Sequence, residues 1–253
     1  MTSQQPAQPN FDRVARIYRF AEYLSLGPLL QRTRTHFLHD LPPRHQALLL
    51  GDGDGRFLAR LLARRPHLSA LAVDTSATML QLLRHRCQPY IHRVRTLHAS
   101  ALDLFGSSYP EASGAGTNGY PEPSGSGLIS PPVEGAGSPR LQPWASPDLI
   151  VTHFFLDCLT QPELQTLTQN LAANTAPGTL WLLSDFAIPQ RPLLRPLAAL
   201  YIRFLYLAFR ILTGLRATHL PDPASALASA GFTRLARHEL LYGLLYTEIW
   251  QLH

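Results

Sequence analysis

Residues 47–56 read Ala47-Leu48-Leu49-Leu50-Gly51-Asp52-Gly53-Asp54-Gly55-Arg56. A short, wholly apolar run that stops at glycine is the pattern of a parallel strand buried on both faces. Three glycines at alternate positions let the backbone turn sharply and leave room for a ligand to approach it closely. Helical spacing follows from Phe57 to Arg65 and is closed by Pro66. Leu68 to Val73 is a second apolar strand, and it runs into Asp74, 19 residues after Gly55. A carboxylate at that strand end can accept hydrogen bonds from the two hydroxyls of a ribose.

The same alternation extends outward. Ser76 is placed to cap a helix over Ala77–Arg86, and Val94 to His98 is a third strand. Leu149 to Phe155 forms a fourth, Pro162 to Asn174 a helix, and Thr179 to Ser184 a fifth strand after the Pro177-Gly178 turn. Pro192 to Leu215 is amphipathic and aromatic, Ala224 to Ala230 is a last helix, and two strands, Arg234–Leu240 and Leu245–Gln251, close the chain near Gly243. Strand and helix in this rhythm define an α/β class: a doubly wound, Rossmann-like sheet with helices on both faces, mostly parallel, with an antiparallel C-terminal edge strand. Ligands of such sheets lie at the carboxyl ends of the strands. Upstream, residues 1–10 read as a disordered tail, and 11–44 as covering helices divided at Gly27-Pro28. Residues 106–146 hold 8 Gly, 8 Ser and 7 Pro among 41 positions, which reads as a flexible insert in a single domain over 11–253. Residues 190–220 read as a helical cover.

The chain has 253 residues, 45% of them apolar, enough for a sizeable core. Its 22 basic residues are all arginine, and net charge is +7 over 1–103, −6 over 104–185 and +4 over 186–253. No arginine run is interleaved with aromatics, so the basic balance reflects arginine usage and not nucleic-acid binding. Two cysteines exclude a disulfide framework and fit a reducing, cytoplasmic setting. The opening residues carry neither a basic start nor an apolar run, so no signal peptide is expected. Arg195, Arg203 and Arg210 interrupt the apolar segment 193–215, which therefore does not read as a membrane span. The 11 histidines are scattered, and no metal site is expected.

Three ligands compete for the glycine loop. A Walker loop needs lysine, and the chain has none. A nicotinamide fingerprint needs a sixth-position glycine or alanine where Arg56 stands. A calcium loop would place its twelfth-position acid at Ala63. S-adenosylmethionine, which has no pyrophosphate, remains. Here the sequence resembles the class I S-adenosylmethionine-dependent methyltransferases over residues 45–190 and again over 224–253. The matching pieces are Leu48–Gly55, Val73-Asp74-Thr75-Ser76 with Met79-Leu80, His98-Ala99-Ser100-Ala101-Leu102, Pro147–Thr152 with His153-Phe154-Phe155, Ala176-Pro177-Gly178-Thr179 and Ala230-Gly231-Phe232. Phe11 to Tyr18 is similar to the opening helix of the quinone-biosynthesis branch. Leu49 and Ser100 depart from the family pattern, which places acids there. Asp52, Asp54 and Asp103 stand close enough in sequence to substitute.

The resemblance implies S-adenosyl-L-methionine as cofactor, held by Gly51, Asp52, Gly53, Gly55, Asp74, Thr75, Met79, Ser100, Ala101, Thr152 and His153. It implies methyl transfer to a small, fairly apolar acceptor of quinone, polyketide or lipid type; the alternative is a non-catalytic member that binds cofactor, partner or membrane. Holding acceptor and methyl group in line supplies most of the acceleration, and a base is needed only where the acceptor atom carries a proton. His153 is the foremost candidate for such a base, and it could equally be a cofactor contact or a packed strand end. Asp157 could orient the acceptor or His153, or merely favour a helix dipole. Tyr18 and Tyr201 could line an acceptor pocket, and Cys158 reads as a small buried residue. The wide apolar face of 193–215 suits a lid, ordinary packing or a peripheral membrane contact.

Overall fold

A computed structural model describes residues 26–105, 146–213 and 220–253. The tail, the opening helix with Tyr18 and most of the 106–146 insert lie outside the described residues. Seven strands form one sheet: β1 (Gln46–Leu50), β2 (Ser69–Asp74), β3 (Val94–His98), β4 (Leu149–His153), β5 (Leu180–Phe186), β6 (Phe232–Leu240) and β7 (Leu245–Leu252). Their order is β3-β2-β1-β4-β5-β7-β6. β1 to β5 run parallel, β7 is antiparallel to both neighbours, and the edge is β6. Strand order reverses between β1 and β4, where such folds open a crevice.

Alternating side chains sort to two faces. Leu48, Leu50, Val73, Ile150, Trp181 and Leu183 bury one face against α4 (Gln161–Ala173) and α6 (Pro223–Ser229). Leu49, Ala72, Val151 and Leu182 bury the other against α2 (Arg56–Arg64) and Leu83 of α3 (Ala77–Arg86). α1 (Gly27–Thr35) packs on β7, β5 and α2, and α5 is Arg195–Thr213. Local chemistry explains the helix starts. Ser76 accepts from the Met79 N–H at 3.2 Å, Thr160 and Glu163 form a capping box, and Asp222 caps α6 through the Ser225 N–H at 3.1 Å.

Several boundaries shift from the sequence expectation: β5 runs two residues further, to Phe186, α5 begins at Arg195 and not at Pro192, and two further shifts have a visible cause. β4 ends at His153 and does not reach Phe155, because Phe154 turns left-handed (φ 54°) and donates its N–H to the Ser184 carbonyl at 2.7 Å. β6 begins two residues early, at Phe232, which pairs with Leu252 and meets Trp181 edge-on. Among the described residues no helix is long and apolar enough to cross a membrane.

Candidate cofactor crevice and base

Register brings the functional positions to one rim. Leu50 lies opposite Val73 on one side and Thr152 on the other, Asp74 opposite His98, and His153 opposite Ser184. Gly51, Asp74, Ala99 and His153 therefore emerge together at the carboxyl ends of four parallel strands.

Gly51, Gly53 and Gly55 all adopt positive φ (67°, 62° and 77°). The Gly51 N–H donates to the Val73 carbonyl at 3.0 Å, tying the loop to β2. A Cβ on Gly51 would stand 2.5 Å from the Phe155 ring, and one on Gly55 would stand 2.8 Å from Leu83, so both glycines are demanded by packing. A Cβ on Gly53 would meet nothing within 4 Å. That open face is where a ligand can reach the loop backbone, as the fit of S-adenosylmethionine requires.

The two loop acids differ in role. Asp54 is buried and paired with Arg56 at 3.0 Å and Arg86 at 2.9 Å, clamping the loop to α3. Asp52 accepts from the Leu58 N–H at 3.3 Å in the first turn of α2. Burial pushes its pKa up from 3.8 to about 7, against the pull of Arg34 and of the Leu58 N–H and with the help of Asp54 and Asp74. A carboxyl whose folded pKa is raised holds a proton that the unfolded chain has released, so stability falls as pH rises from about 4 to about 7. Asp52→Asn keeps the acceptor for Leu58 and removes the charge. At pH 8 this variant should be more stable than the parent by about 1–3 kcal/mol, or roughly 3–10 °C in Tm. The gain should vanish by pH 4. Melting curves at the two pH values check this, and a pH-independent difference would show that Asp52 is well solvated.

Asp74 closes β2 and accepts from the Ser76 N–H at 2.9 Å. The Thr75 carbonyl meets His98 Nε2 at 3.0 Å, and Ser100 caps the turn Ala101–Asp103 through the Leu102 N–H at 3.2 Å. Asp103 is exposed and Leu49 is fully buried in the core. Thr152 is buried and accepts from Trp181 Nε1 at 2.9 Å; Met79 and Ala101 are also buried. The loop glycines, Asp74, Thr75 and Ser100 thus gather at the rim, while the side chains of His153, Thr152, Met79 and Ala101 lie buried beneath it.

His153 is buried edge-on to Phe57, ring centroids 4.4 Å apart. Its Nδ1 lies 3.0 Å from Ser184 Oγ, which donates to Thr247 Oγ1 at 3.0 Å, which donates to the Leu183 carbonyl at 2.9 Å. Each hydroxyl proton is committed onward, so Ser184 can only accept from His153, and this network assigns the imidazole proton to Nδ1. Nε2 is left as a bare lone pair, buried and without a hydrogen-bond partner. Burial, and secondly Arg34, hold the imidazole pKa well below the usual histidine value, so the ring is neutral at physiological pH.

Beyond β4, Asp157 and Asp185 form a carboxyl pair: the Asp157 N–H donates to Asp185 Oδ2 at 3.1 Å, and the two side chains hydrogen-bond. Burial raises Asp157 to about 6 and Asp185 well above the carboxylate range, with mutual repulsion adding to Asp185, so the pair shares a proton. Burial also raises the Cys158 thiol well above its usual value, which keeps it protonated. Tyr201 is half-buried on α5. Ser184, Asp185, Thr247 and Arg34 are not among the site residues expected from the sequence. The polar pair Ser184-Asp185 at the end of an apolar strand is the one signal that could have found two of them. Among the described residues no group of three or more His, Cys, Asp or Glu is placed to hold a metal ion.

No known family's sequence model matches the chain, and no curated protein matches it in sequence. Solved structures do. An O-methyltransferase family protein from Burkholderia thailandensis matches with a TM-score of 0.62 at 14% identity, over 97% of this chain and 64% of that one. An O-methyltransferase family 2 protein from Planctomyces limnophilus, in complex with apigenin, matches with a TM-score of 0.58 at 17% identity, over 94% and 61%. The N,N-8-amino-8-demethyl-D-riboflavin dimethyltransferase from Streptomyces davawensis gives 0.57 at 17%, over 97% and 62%. The chain thus has the Rossmann-like fold of this methyltransferase class. It spans about three fifths of the length of the solved chains it matches.

Proposed function

We propose that the chain is an S-adenosylmethionine-dependent methyltransferase acting on a small, fairly apolar acceptor. The observation that carries this reading is the left-handed glycine loop, open at Gly53, set in register beside Asp74 at the point where strand order reverses. Asp74 would accept from the ribose hydroxyls, Gly51 and Gly53 would bring the loop backbone against the amino-acid part, and Thr75, Ser100 and Ala101 would flank the adenine. The cofactor supplies an electrophilic methyl group on a sulfonium; the chain supplies position and a proton acceptor. His153 Nε2, neutral and unpartnered, takes the proton of an acceptor hydroxyl or amine. Ser184 holds the ring in the tautomer that makes this possible. Asp157 and Asp185, with one proton between them, can both donate to and accept from a polar atom of the acceptor.

The solved neighbours' names include both O- and N-methyl transfer, so the fold admits either atom. The test is incubation with methyl-labelled cofactor and a panel of phenols, quinones and aromatic amines. Label should enter an organic-extractable product. Cofactor binding with no transfer to any acceptor class would overturn the reading in favour of a binding protein.

A further inference from the structure

Over residues 195–205, the part of α5 whose side chains are described, the outer face is apolar and uncovered. Leu197, Leu200 and Phe204 are 67%, 65% and 69% exposed, and Leu193, in the turn leading into the helix, is 90% exposed. Within the helix, offsets of three and seven residues from Leu197 place Leu200 and Phe204 on the same face at 100° per residue, and Leu193 precedes that face in the entering turn. Ala198 and Ile202, one turn apart, are buried at 8% and 5% and form the opposite, inward face. The inner face is thus buried within the protein, and the outer one is left without a partner among the described residues. Arg191 extends the patch by stacking on exposed Tyr242, 4.9 Å from guanidinium to ring centre.

Charge selects the occupant. Residues 187–221 contain five arginines and no acid. A second copy seated on this stripe would set that arginine-only segment against itself. The chain's own residues 11–25 carry three arginines against two acids and offer no complementary charge. A surface that is apolar inside and anionic outside complements both features: leucine and phenylalanine enter the acyl boundary, and the arginines meet phosphates. Arg203 stands in the middle of α5, so the helix lies along such a surface and does not cross it.

We propose that the outer face of α5 docks the protein on an anionic lipid surface. Co-sedimentation of the full chain with vesicles tests this. Vesicles of phosphatidylcholine with about 30% phosphatidylglycerol should bind about tenfold or more tightly than phosphatidylcholine alone, and about 0.5 M salt should remove most of that preference. Leu197→Glu with Phe204→Glu should weaken binding about tenfold or more, whereas Leu235→Glu, at an exposed leucine on β6, should leave it unchanged. The composition and salt arms use the unaltered chain, so they decide the question even if a variant misfolds. Absent or composition-independent binding would overturn the proposal. So would a dimer, seen by sedimentation equilibrium, that the double substitution splits into monomers.

Discussion

His153→Asn should lower kcat by about 10²–10⁴-fold while leaving cofactor affinity within a few-fold. Asparagine retains an N–H where His153 Nδ1 stands, so the hydrogen bond to Ser184 Oγ can persist. What it removes is Nε2, the lone pair that the Ser184–Thr247–Leu183 chain leaves free. The pH profile carries the same information. Because burial depresses the imidazole pKa, the parent's rate should be level through neutrality and decline only well below pH 6.5. Steady-state kinetics on an acceptor that bears a proton, with cofactor binding measured separately, check the prediction. Activity within threefold of the parent would mean that positioning alone carries the reaction.

Gly51→Ala should be strongly destabilising. An alanine at φ 67° costs about 1–2 kcal/mol of backbone strain. Its Cβ would also overlap the Phe155 ring, which packs on the core and has to shift. A loss of about 2–4 kcal/mol follows, or roughly 5–15 °C in Tm. Gly53→Ala is the informative partner. It carries the same kind of strain at φ 62° but meets no protein atom, so it should cost less stability while its methyl occupies the open face. Melting curves and cofactor titrations on both variants should therefore order oppositely: Gly51→Ala worse in stability, Gly53→Ala worse in affinity relative to its stability loss. Equal affinity in Gly53→Ala and the parent would show that the ligand does not touch the loop there.

The parts of this fold governed by local signals were legible in the sequence. α3 matches the expected span because Ser76 starts it with a cap, and β3 matches because turns bound it on both sides. The glycine loop and Asp74 were legible because backbone freedom and a strand-end acid are written in adjacent residues. What escaped depends on partners far away along the chain. Asp54 clamps the loop to α3 because Arg86, 32 residues later, reaches it. The proton on His153 is set by Ser184 and Thr247, which join it only through the register of β4, β5 and β7. Phe154 ends β4 early through a left-handed turn that no residue preference for phenylalanine anticipates. The closing strands read as a simple edge pair, yet β7 lies inside it, held by Glu248, which is buried and met by Arg234, Arg237 and Trp250.

Isothermal titration of S-adenosylmethionine and its demethylated product into the parent and into Asp74→Ala reaches the central claim most directly. One site per chain should appear in the parent, and loss of the ribose contact should weaken it by about 1–3 kcal/mol, or roughly 5- to 150-fold. No heat of binding to the parent at about millimolar ligand, where a Kd near 1 mM corresponds to only about 4 kcal/mol, or an unchanged Kd in Asp74→Ala, would contradict a cofactor site in this crevice.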